Sequence, residues 1–207
     1  MSLRSSFLLW QAQVERLLRF DDLHEVSVLF AGGIHDARSA AMVAALAAPL
    51  AAAGARIGVL MGTAYLFTQE AVSTGAIVPQ FQQMAIDCEQ TALLTTAPGH
   101  TTRCAESAYV STFEQQKQQL QDDGADRKTK WAALEQLNLG RLRIASKGLE
   151  RQDNTLNQVD ENTQRKDGLY MIGQAATLRS EVLTMAELHQ QVSQGATEHI
   201  DALRPSA

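Results

Sequence analysis

Cysteine and aromatic residues are scarce in this chain, and basic residues do not outnumber acidic ones. Its 207 residues include two cysteines and 5% aromatic residues, and 23 acidic side chains outnumber 18 Lys and Arg, for a net charge of -5. The absence of a basic field argues against nucleic acid or an anionic membrane as the main partner. The expected partner is a small molecule or another protein.

The two cysteines, Cys88 and Cys104, have neither CxxC spacing nor companion residues at zinc-ligand spacing. A disulfide framework and a structural metal site are therefore both disfavoured. We expect reduced thiols in a cytoplasmic protein without a metal site.

Long hydrophobic runs are also missing. The longest, residues 40–53, is mostly alanine and contains Pro49, and it is shorter than the roughly 20 residues that a membrane-spanning helix needs. The first ten residues hold one cation and a brief apolar run, but no small-residue cleavage site follows, so a secretion signal is weak. The sequence predicts no transmembrane helix and no membrane partner.

The composition that is present is globular, and it changes once along the chain. Hydrophobic residues make up 45% and charged residues 20% of the sequence, which excludes wholesale disorder. Residues 1–80 are rich in Ala, Gly, Val and Leu, whereas residues 81–207 are rich in Gln, Glu, Asp, Lys and Arg. We predict two differently built parts, 1–80 and 81–207.

The first part has the pattern of a parallel βαβ unit. After a helix that ends near Phe20, two short, nearly uncharged runs, 26–31 and 56–61, are each followed by a small-residue pair. Both runs are typical of strands buried on both faces. Between them, Asp36 is placed to cap a helix over 37–53. Strand, helix and strand in this order favour parallel pairing.

The second part is predicted to be a mostly α-helical extension. Residues 150–167 are almost without apolar side chains, so we predict a flexible surface loop there. The predicted helices span 79–94, 108–120, a segment ending near Gly140, 169–178 and 185–192, with turns at 97–100 and 122–126.

Two parallel strands are too few to stand alone, because parallel sheets are covered on both faces. Either a larger parallel sheet or barrel precedes these strands in a longer parent protein, or another molecule completes the sheet. We favour the first. The expected fold is the C-terminal portion of a TIM (β/α)8 barrel, its last two βα units, followed by the helical extension.

Gly32, Gly33, Gly62 and Thr63 follow the two predicted strands. They fall at the carboxyl edge, where parallel α/β folds bind ligands and where such loops in barrels often cradle a phosphate. Glycine lets the backbone approach a ligand closely. The alternative is that these residues only form tight strand-to-helix turns.

Two stretches resemble the last two βα units of the nitronate monooxygenase (2-nitropropane dioxygenase) family. They read VLFAGGI with DAR shortly after it (28–38), and GVLMGTAYL (58–66). Near relatives of this family are the enoyl reductases of bacterial fatty-acid synthesis and similar domains of polyketide and polyunsaturated-fatty-acid synthases. Residues 95–104 and 139–148 look most like the synthase-associated branch. The barrel resemblance covers about residues 26–105.

The resemblance implies an FMN-dependent flavoprotein with a TIM barrel. Gly32, Gly33, Gly62 and Thr63 match the positions whose backbone amides hold the FMN phosphate in the family. The family's catalytic histidine falls before Met1, so no catalytic residue is assigned in this chain. The resemblance implies enoyl-thioester reduction of a small-molecule or carrier-bound acyl substrate, with NAD(P)H as hydride donor.

Two alternatives to enoyl-thioester reduction stay open. One is a non-catalytic helical module that docks a synthase partner, and the other is a free-standing nitronate monooxygenase that uses oxygen. If the protein is an enoyl reductase or a nitronate monooxygenase, this chain is a fragment of that oxidoreductase. We predict that the fragment is inactive alone. Substrate, hydride donor and oligomeric state stay open.

Four other side chains carry weaker signals. His35 is expected to be a solvated loop histidine rather than a phosphate or carbonyl ligand. His100 and Arg103 could form an anion-binding turn, although Arg103 pairing with a nearby carboxylate is the simpler expectation. Cys104 is expected to be a quiet thiol rather than a nucleophile.

Arg141, Arg143 and Lys147 form a basic cluster in the second part. The cluster could meet an acidic carrier protein or an acyl-coenzyme phosphate. A solvated helix face is the ordinary interpretation of such a pattern.

Overall fold

The computed structural model describes residues 6–203, and these divide into two compact units. One, the βαβ unit, contains residues 6–65 and 183–203, and the other, the central unit, contains residues 66–182. The helices and strands in chain order are α1 (Ser6–Leu17), β1 (Ser27–Ala31), α2 (Ala37–Ala52), β2 (Arg56–Leu60), a 3-10 helix (Thr63–Phe67), α3 (Gln69–Ser73), α4 (Pro79–Ile86), β3 (Thr91–Ala97), β4 (His100–Ala105), α5 (Ala108–Asp122), α6 (Arg127–Asn138), α7 (Arg141–Lys147), β5 (Leu149–Gln152), β6 (Thr155–Gln158), α8 (Glu161–Asp167), a second 3-10 helix (Gln174–Leu178), α9 (Met185–Gln190), a π turn (Gln191–Gly195) and α10 (Ala196–Asp201).

The predicted parallel βαβ motif is confirmed. Strands β1 and β2 pair in parallel, in a register that runs from Ser27 opposite Arg56 to Ala31 opposite Leu60. The connecting helix α2 buries Ala40, Val43, Ala47 and Leu50, which lie three or four residues apart on one helical face. This face packs in the core of the βαβ unit.

Asp36 caps α2, as predicted. Its carboxylate accepts a hydrogen bond of 2.8 Å from the Ser39 backbone amide, and the Ser39 hydroxyl lies 3.0 Å from the Asp36 amide in a reciprocal capping box. Such a box satisfies amides that the first helical turn leaves without partners. The start of α2 is therefore fixed directly after the first glycine pair.

Replacing Asp36 with alanine is expected to lower the free energy of unfolding by about 1 kcal/mol at neutral pH, because the cap is lost. Burial tends to raise the pKa of Asp36, but hydrogen bonds from Ser39 bring it below its ordinary 3.8. A carboxyl group whose pKa falls on folding stabilises the protein above its unfolded pKa, and this contribution is lost as pH falls through the folded pKa.

The difference between wild type and Asp36→Ala should therefore be present at pH 7 and shrink in acid below about pH 4. Urea unfolding at pH 7 and pH 3 measures it. Asp21→Ala is the matched control, since Asp21 is exposed and has no capping role, and it should change neither curve. A difference of the same size at both pH values would contradict the assignment.

The C-terminal helices belong to the βαβ unit. Leu188, Val192 and Ala196 from α9, the π turn and α10 are buried in the same core as α2. Gly195 allows close approach, because a Cβ there would lie 3.0 Å from the Cβ of Ala37. The compact units therefore divide the chain at 65/66 and 182/183, whereas the sequence composition suggested parts at 1–80 and 81–207.

The prediction that both strands are buried on both faces is wrong. Leu29 of β1 is 66% exposed and Leu60 of β2 is 53% exposed, whereas Phe30 is buried. Since strand residues alternate between faces, one face of this sheet is covered and the other is open. Among residues 6–203, β1 and β2 pair only with each other. The described residues thus contain one parallel strand pair, and the barrel expected from the sequence stays a prediction.

The predicted helix over 79–94 is too long. Helix α4 ends at Ile86, and 91–97 instead forms β3, which pairs with β4 in an antiparallel hairpin. The predicted turn at 97–100 is confirmed as the hairpin turn, with Gly99 at a φ of +82°. Ile86, Thr91 and Leu94 are the candidate inward positions of the predicted helix. The β-branched threonines of 91–96 and the Pro98-Gly99 turn favour a hairpin instead.

The predicted flexible loop over 150–167 is also wrong. Strands β5 and β6 form an antiparallel hairpin there, and Asp160 caps α8 by accepting a hydrogen bond of 2.7 Å from the Thr163 amide. All four β6 residues are exposed, so the hairpin has no hydrophobic alternation to reveal it. Backbone pairing joins the two strands.

The predicted helix over 169–178 is present only as the 3-10 helix at its end. The segment before it is extended: the Ala105 amide donates to the Tyr170 carbonyl at 2.9 Å, and Met171 bridges to Cys104. Tyr170 is fully buried, which holds this segment against β4. The predicted helices over 108–120 and 185–192 are confirmed as α5 and α9.

The described residues contain neither a grouped metal-ligand set nor a candidate membrane-spanning helix. In residues 6–203, no three His, Cys, Asp or Glu side chains are grouped as a metal-ligand set. No helix in that range has both the length and the apolar character that crossing a bilayer requires.

Candidate functional site

The two small-residue loops leave the same edge of the sheet. Ala31 and Leu60 are paired at the carboxyl ends of the parallel strands, and Gly32-Gly33 and Gly62-Thr63 follow them closely. The four residues predicted from the sequence are therefore brought to one edge. This is the edge at which open and closed parallel sheets bind ligands.

The first loop needs glycine for its backbone. Gly32 has a φ of +103° and Gly33 a φ of +88°, a region that side chains other than glycine rarely adopt. A Cβ at Gly32 would lie 3.1 Å from the Ser6 hydroxyl, but one at Gly33 would meet no atom within 4 Å. Gly33 thus faces open space.

The second loop is different. Gly62 has no positive φ, and a Cβ at this position would also meet nothing within 4 Å. No steric or conformational demand of the described residues therefore explains glycine at position 62. Space left for a ligand is one physical reason for it.

His35 stabilises the first loop from within. Its Nδ1 lies 2.7 Å from the Gly33 carbonyl oxygen, its backbone amide donates to the Ser39 hydroxyl at 3.0 Å, and its side chain is 11% exposed. The expectation of a solvated loop histidine is wrong, because the ring turns back onto its own loop. His35 is a positioning residue for the Gly33 backbone.

Trp10 fixes the end of β1. Its indole Nε1 donates a hydrogen bond of 3.0 Å to the carbonyl of Ala31, and its ring meets Phe30 edge-on at a centroid distance of 6.0 Å. Helix α1 is thereby tied to the last residue before the glycine pair. No local sequence pattern marks this contact, since 21 positions separate the two residues.

Tyr65 and His189 form a second positioning pair after β2. The Tyr65 hydroxyl lies 2.8 Å from Nε2 of His189, and the rings meet edge-on at 5.7 Å. Tyr65 comes two residues after Thr63, so this bond from α9 restrains the second loop. Sequence reasoning missed it because the partners are 124 positions apart.

A groove of about 510 Å³ runs beside β2 in the βαβ unit. Its apolar walls include Ile57 and Val59 of β2, Val43 of α2 and Ile200 of α10. Because β2 pairs with no described strand other than β1, the groove follows a strand edge that is free to accept another element.

The other sequence candidates do not form a site. Nδ1 of His100 lies 3.0 Å from the Glu135 carboxylate, and the Arg103 guanidinium donates to the Thr91 hydroxyl at 2.8 Å, so no anion-binding turn is formed. Burial raises the pKa of the Cys104 thiol to about 11. A protonated, buried thiol is not a nucleophile.

No protein-family model and no curated protein matches this sequence. Solved structures do match its fold. The structure of FabK from Thermotoga maritima is similar with a TM-score of 0.67 and 18% sequence identity, over 99% of this chain and 52% of that one. A mutant of the same protein gives a TM-score of 0.62 and 17% identity, over 99% and 50%. The chain therefore spans about half the length of the structures it matches, and the likeness is one of fold.

Proposed function

We propose that this chain is the C-terminal part of an FMN-dependent oxidoreductase that reduces carrier-bound enoyl thioesters, and that its two small-residue loops hold the FMN phosphate. The observation that carries the proposal is the meeting of both loops at the carboxyl edge of one parallel strand pair. The fold likeness to FabK supports an oxidoreductase of the general enoyl-reductase type. This agrees with the family that the sequence resembles.

The residues present fit a phosphate group. Gly33 and Gly62 both open onto free space, so a ligand can approach the backbone amides closely. The first pair also precedes the amino end of α2, a 16-residue helix, where the helix dipole favours an anion. Arg38, 3.5 Å from the Asp36 carboxylate, balances the negative charge of the cap.

The chain's own residues bind and orient in this proposal. FMN, when bound, supplies the hydride chemistry. Amides of Gly32, Gly33, Gly62 and Thr63 hold the phosphate, while His35 keeps the Gly33 loop in place. The histidine that the family resemblance assigns to catalysis is supplied from outside this chain.

The open sheet supports a further part of the proposal: the remaining βα units of a barrel, in a longer parent protein, cover this face. Leu29 and Leu60 are large apolar side chains left in solvent. Since 99% of the chain matches only 52% of FabK, the matched fold has further structure beyond this chain's share. Because the 207-residue chain supplies only one side of the FMN site, it is proposed to bind FMN weakly or not at all.

The test compares the chain alone with the longer protein after incubation with FMN and desalting. We expect a stoichiometric flavin absorption spectrum for the longer protein and none for the chain alone. The longer protein should then oxidise NAD(P)H in the presence of an enoyl thioester. Failure of the longer protein to retain flavin would refute the proposal. Oxygen consumption with a nitronate, without NAD(P)H oxidation by an enoyl thioester, would favour the nitronate monooxygenase.

A docking module is the second candidate function. The observation favouring it is that the central unit has hydrophobic cores of its own, around Phe81 and Tyr170 and around Tyr109 and Phe113. Such a unit could serve as a platform for a synthase partner. Flavin retention and its loss on changing the loops, as described in the Discussion, distinguish the two functions.

A further inference from the structure

A cleft of about 780 Å³ lies in the central unit, beside the turn between α6 and α7 and against β5. Its apolar lining includes Leu137, Leu139 and Ile144. Leu139 is 72% exposed, so the cleft offers apolar surface to an entering molecule. None of the proposed flavin-phosphate residues belongs to this cleft.

The charge of the cleft is opposite to that of the chain. Three arginines and one glutamate line it, Arg141, Arg143, Arg151 and Glu150, whereas the chain carries a net charge of -5. Three positive charges against one negative charge leave an excess of two. A concave surface with such an excess attracts anions.

The three arginines are not equivalent. Arg141 is already engaged: its guanidinium lies 3.4 Å from the Asp167 carboxylate and 5.5 Å from the Tyr109 ring centre. Arg143 is half-buried and Arg151 is exposed, and within residues 6–203 neither guanidinium has a hydrogen-bond or ion-pair partner. Two arginines from separate elements, α7 and β5, are thus available to one ligand.

Lys147 does not belong to this cleft, although it stood beside Arg141 and Arg143 in the sequence cluster. Its ammonium group donates to the carbonyls of Gly75 and Ala76 at 2.7 and 2.8 Å. Arg151, which the sequence did not single out, takes its place. The structure thereby converts a linear basic cluster into a concave site with an apolar floor.

We propose that this cleft binds an organic phosphate that carries an aliphatic chain. Arg143 and Arg151 donate hydrogen bonds to the phosphate, because planar guanidinium groups match the geometry of phosphate oxygens. The aliphatic chain lies on the leucine and isoleucine floor. This binding goes beyond the proposed flavin chemistry and does not depend on it.

Isothermal titration calorimetry of the 207-residue chain with hexyl phosphate, inorganic phosphate and hexanol tests the proposal. We expect hexyl phosphate to bind, with inorganic phosphate and hexanol each weaker by about tenfold or more, since each lacks one half of the recognised group. Equal affinity for hexanol and hexyl phosphate would remove the role of the arginines and overturn the proposal, as would no binding of hexyl phosphate.

Variants locate the binding site. Arg143→Gln and Arg151→Gln should each lower the affinity for hexyl phosphate by about tenfold, which is the effect of losing one charge-assisted hydrogen bond. Arg127→Gln removes the same charge from the exposed start of α6, outside the cleft, and should leave the affinity within about twofold. Far-ultraviolet circular dichroism confirms that each variant is folded.

Three results would overturn the assignment of the site. They are unchanged affinity in both cleft variants, an equal loss in Arg127→Gln, and a loss in Gly62→Val, which would place the ligand at the glycine loops instead. Because Arg151 is exposed on a hairpin, its variant remains informative if Arg143→Gln does not fold.

Discussion

Replacing Gly62 with valine is expected to abolish flavin retention in the longer protein while the fold is preserved. The φ of Gly62 is not positive, and a Cβ there meets no atom within 4 Å, so the substitution strains neither backbone nor packing. The new side chain fills the space through which a phosphate must reach the loop amides. Loss of two charge-assisted hydrogen bonds corresponds to an affinity lower by about a hundredfold or more.

Fluorescence titration with FMN and the absorption spectrum after desalting measure this effect. Gly33→Val should also lose flavin, but it adds backbone strain, since its φ is +88°. Gly124→Val is the control for that strain: Gly124 has a φ of +69°, also opens onto free space, and lies in a turn of the central unit. It should cost about 1–2 kcal/mol of stability and leave flavin binding unchanged. Full flavin content in Gly62→Val would contradict the proposed phosphate site.

The parts of the fold that the sequence predicted are those with local signals. A capping aspartate at 36, apolar residues on one face of the following helix and small residues after each strand are all readable within a few positions. Parallel pairing then follows from the order of the elements. This is why the meeting of the two loops at one edge could be predicted without coordinates.

The parts that failed depend on partners distant in sequence or on backbone pairing alone. The Tyr65–His189 and Trp10–Ala31 hydrogen bonds join residues 124 and 21 positions apart, and nothing local marks either. The β5–β6 hairpin has polar residues on both faces, so composition made it look like a loop. The cleft that contains Arg143 and Arg151 was missed for the same reason, since the hairpin brings Arg151 close to α7.

The wrong prediction of strand burial has a different cause, which is that one face of the sheet is left uncovered. Residues 26–31 have the composition of a strand covered on both sides, yet Leu29 is 66% exposed. In the folded chain its side chain lies against Gly58, where an added Cβ would come within 2.6 Å of it. Sequence pattern reports the environment in which a strand is stable, and the described residues supply only half of that environment.

Replacing Leu29 with glutamate should therefore have opposite outcomes in the two forms of the protein. In the 207-residue chain the side chain is in solvent, and the free energy of unfolding should change by no more than about 0.5 kcal/mol. In the longer protein the same carboxylate would be buried without a partner, at a cost of several kcal/mol. We expect that variant to lose its cooperative unfolding transition or its flavin.

Leu178→Glu provides the comparison, because Leu178 is 69% exposed and belongs to the central unit rather than to the strand pair. It should be tolerated in both forms. Thermal unfolding followed by circular dichroism, together with flavin content, measures all four proteins. If Leu29→Glu were tolerated in the longer protein as well as Leu178→Glu, the open face would be a solvent-exposed surface there too. The remaining barrel strands could then not cover it, and the flavin would have no second wall.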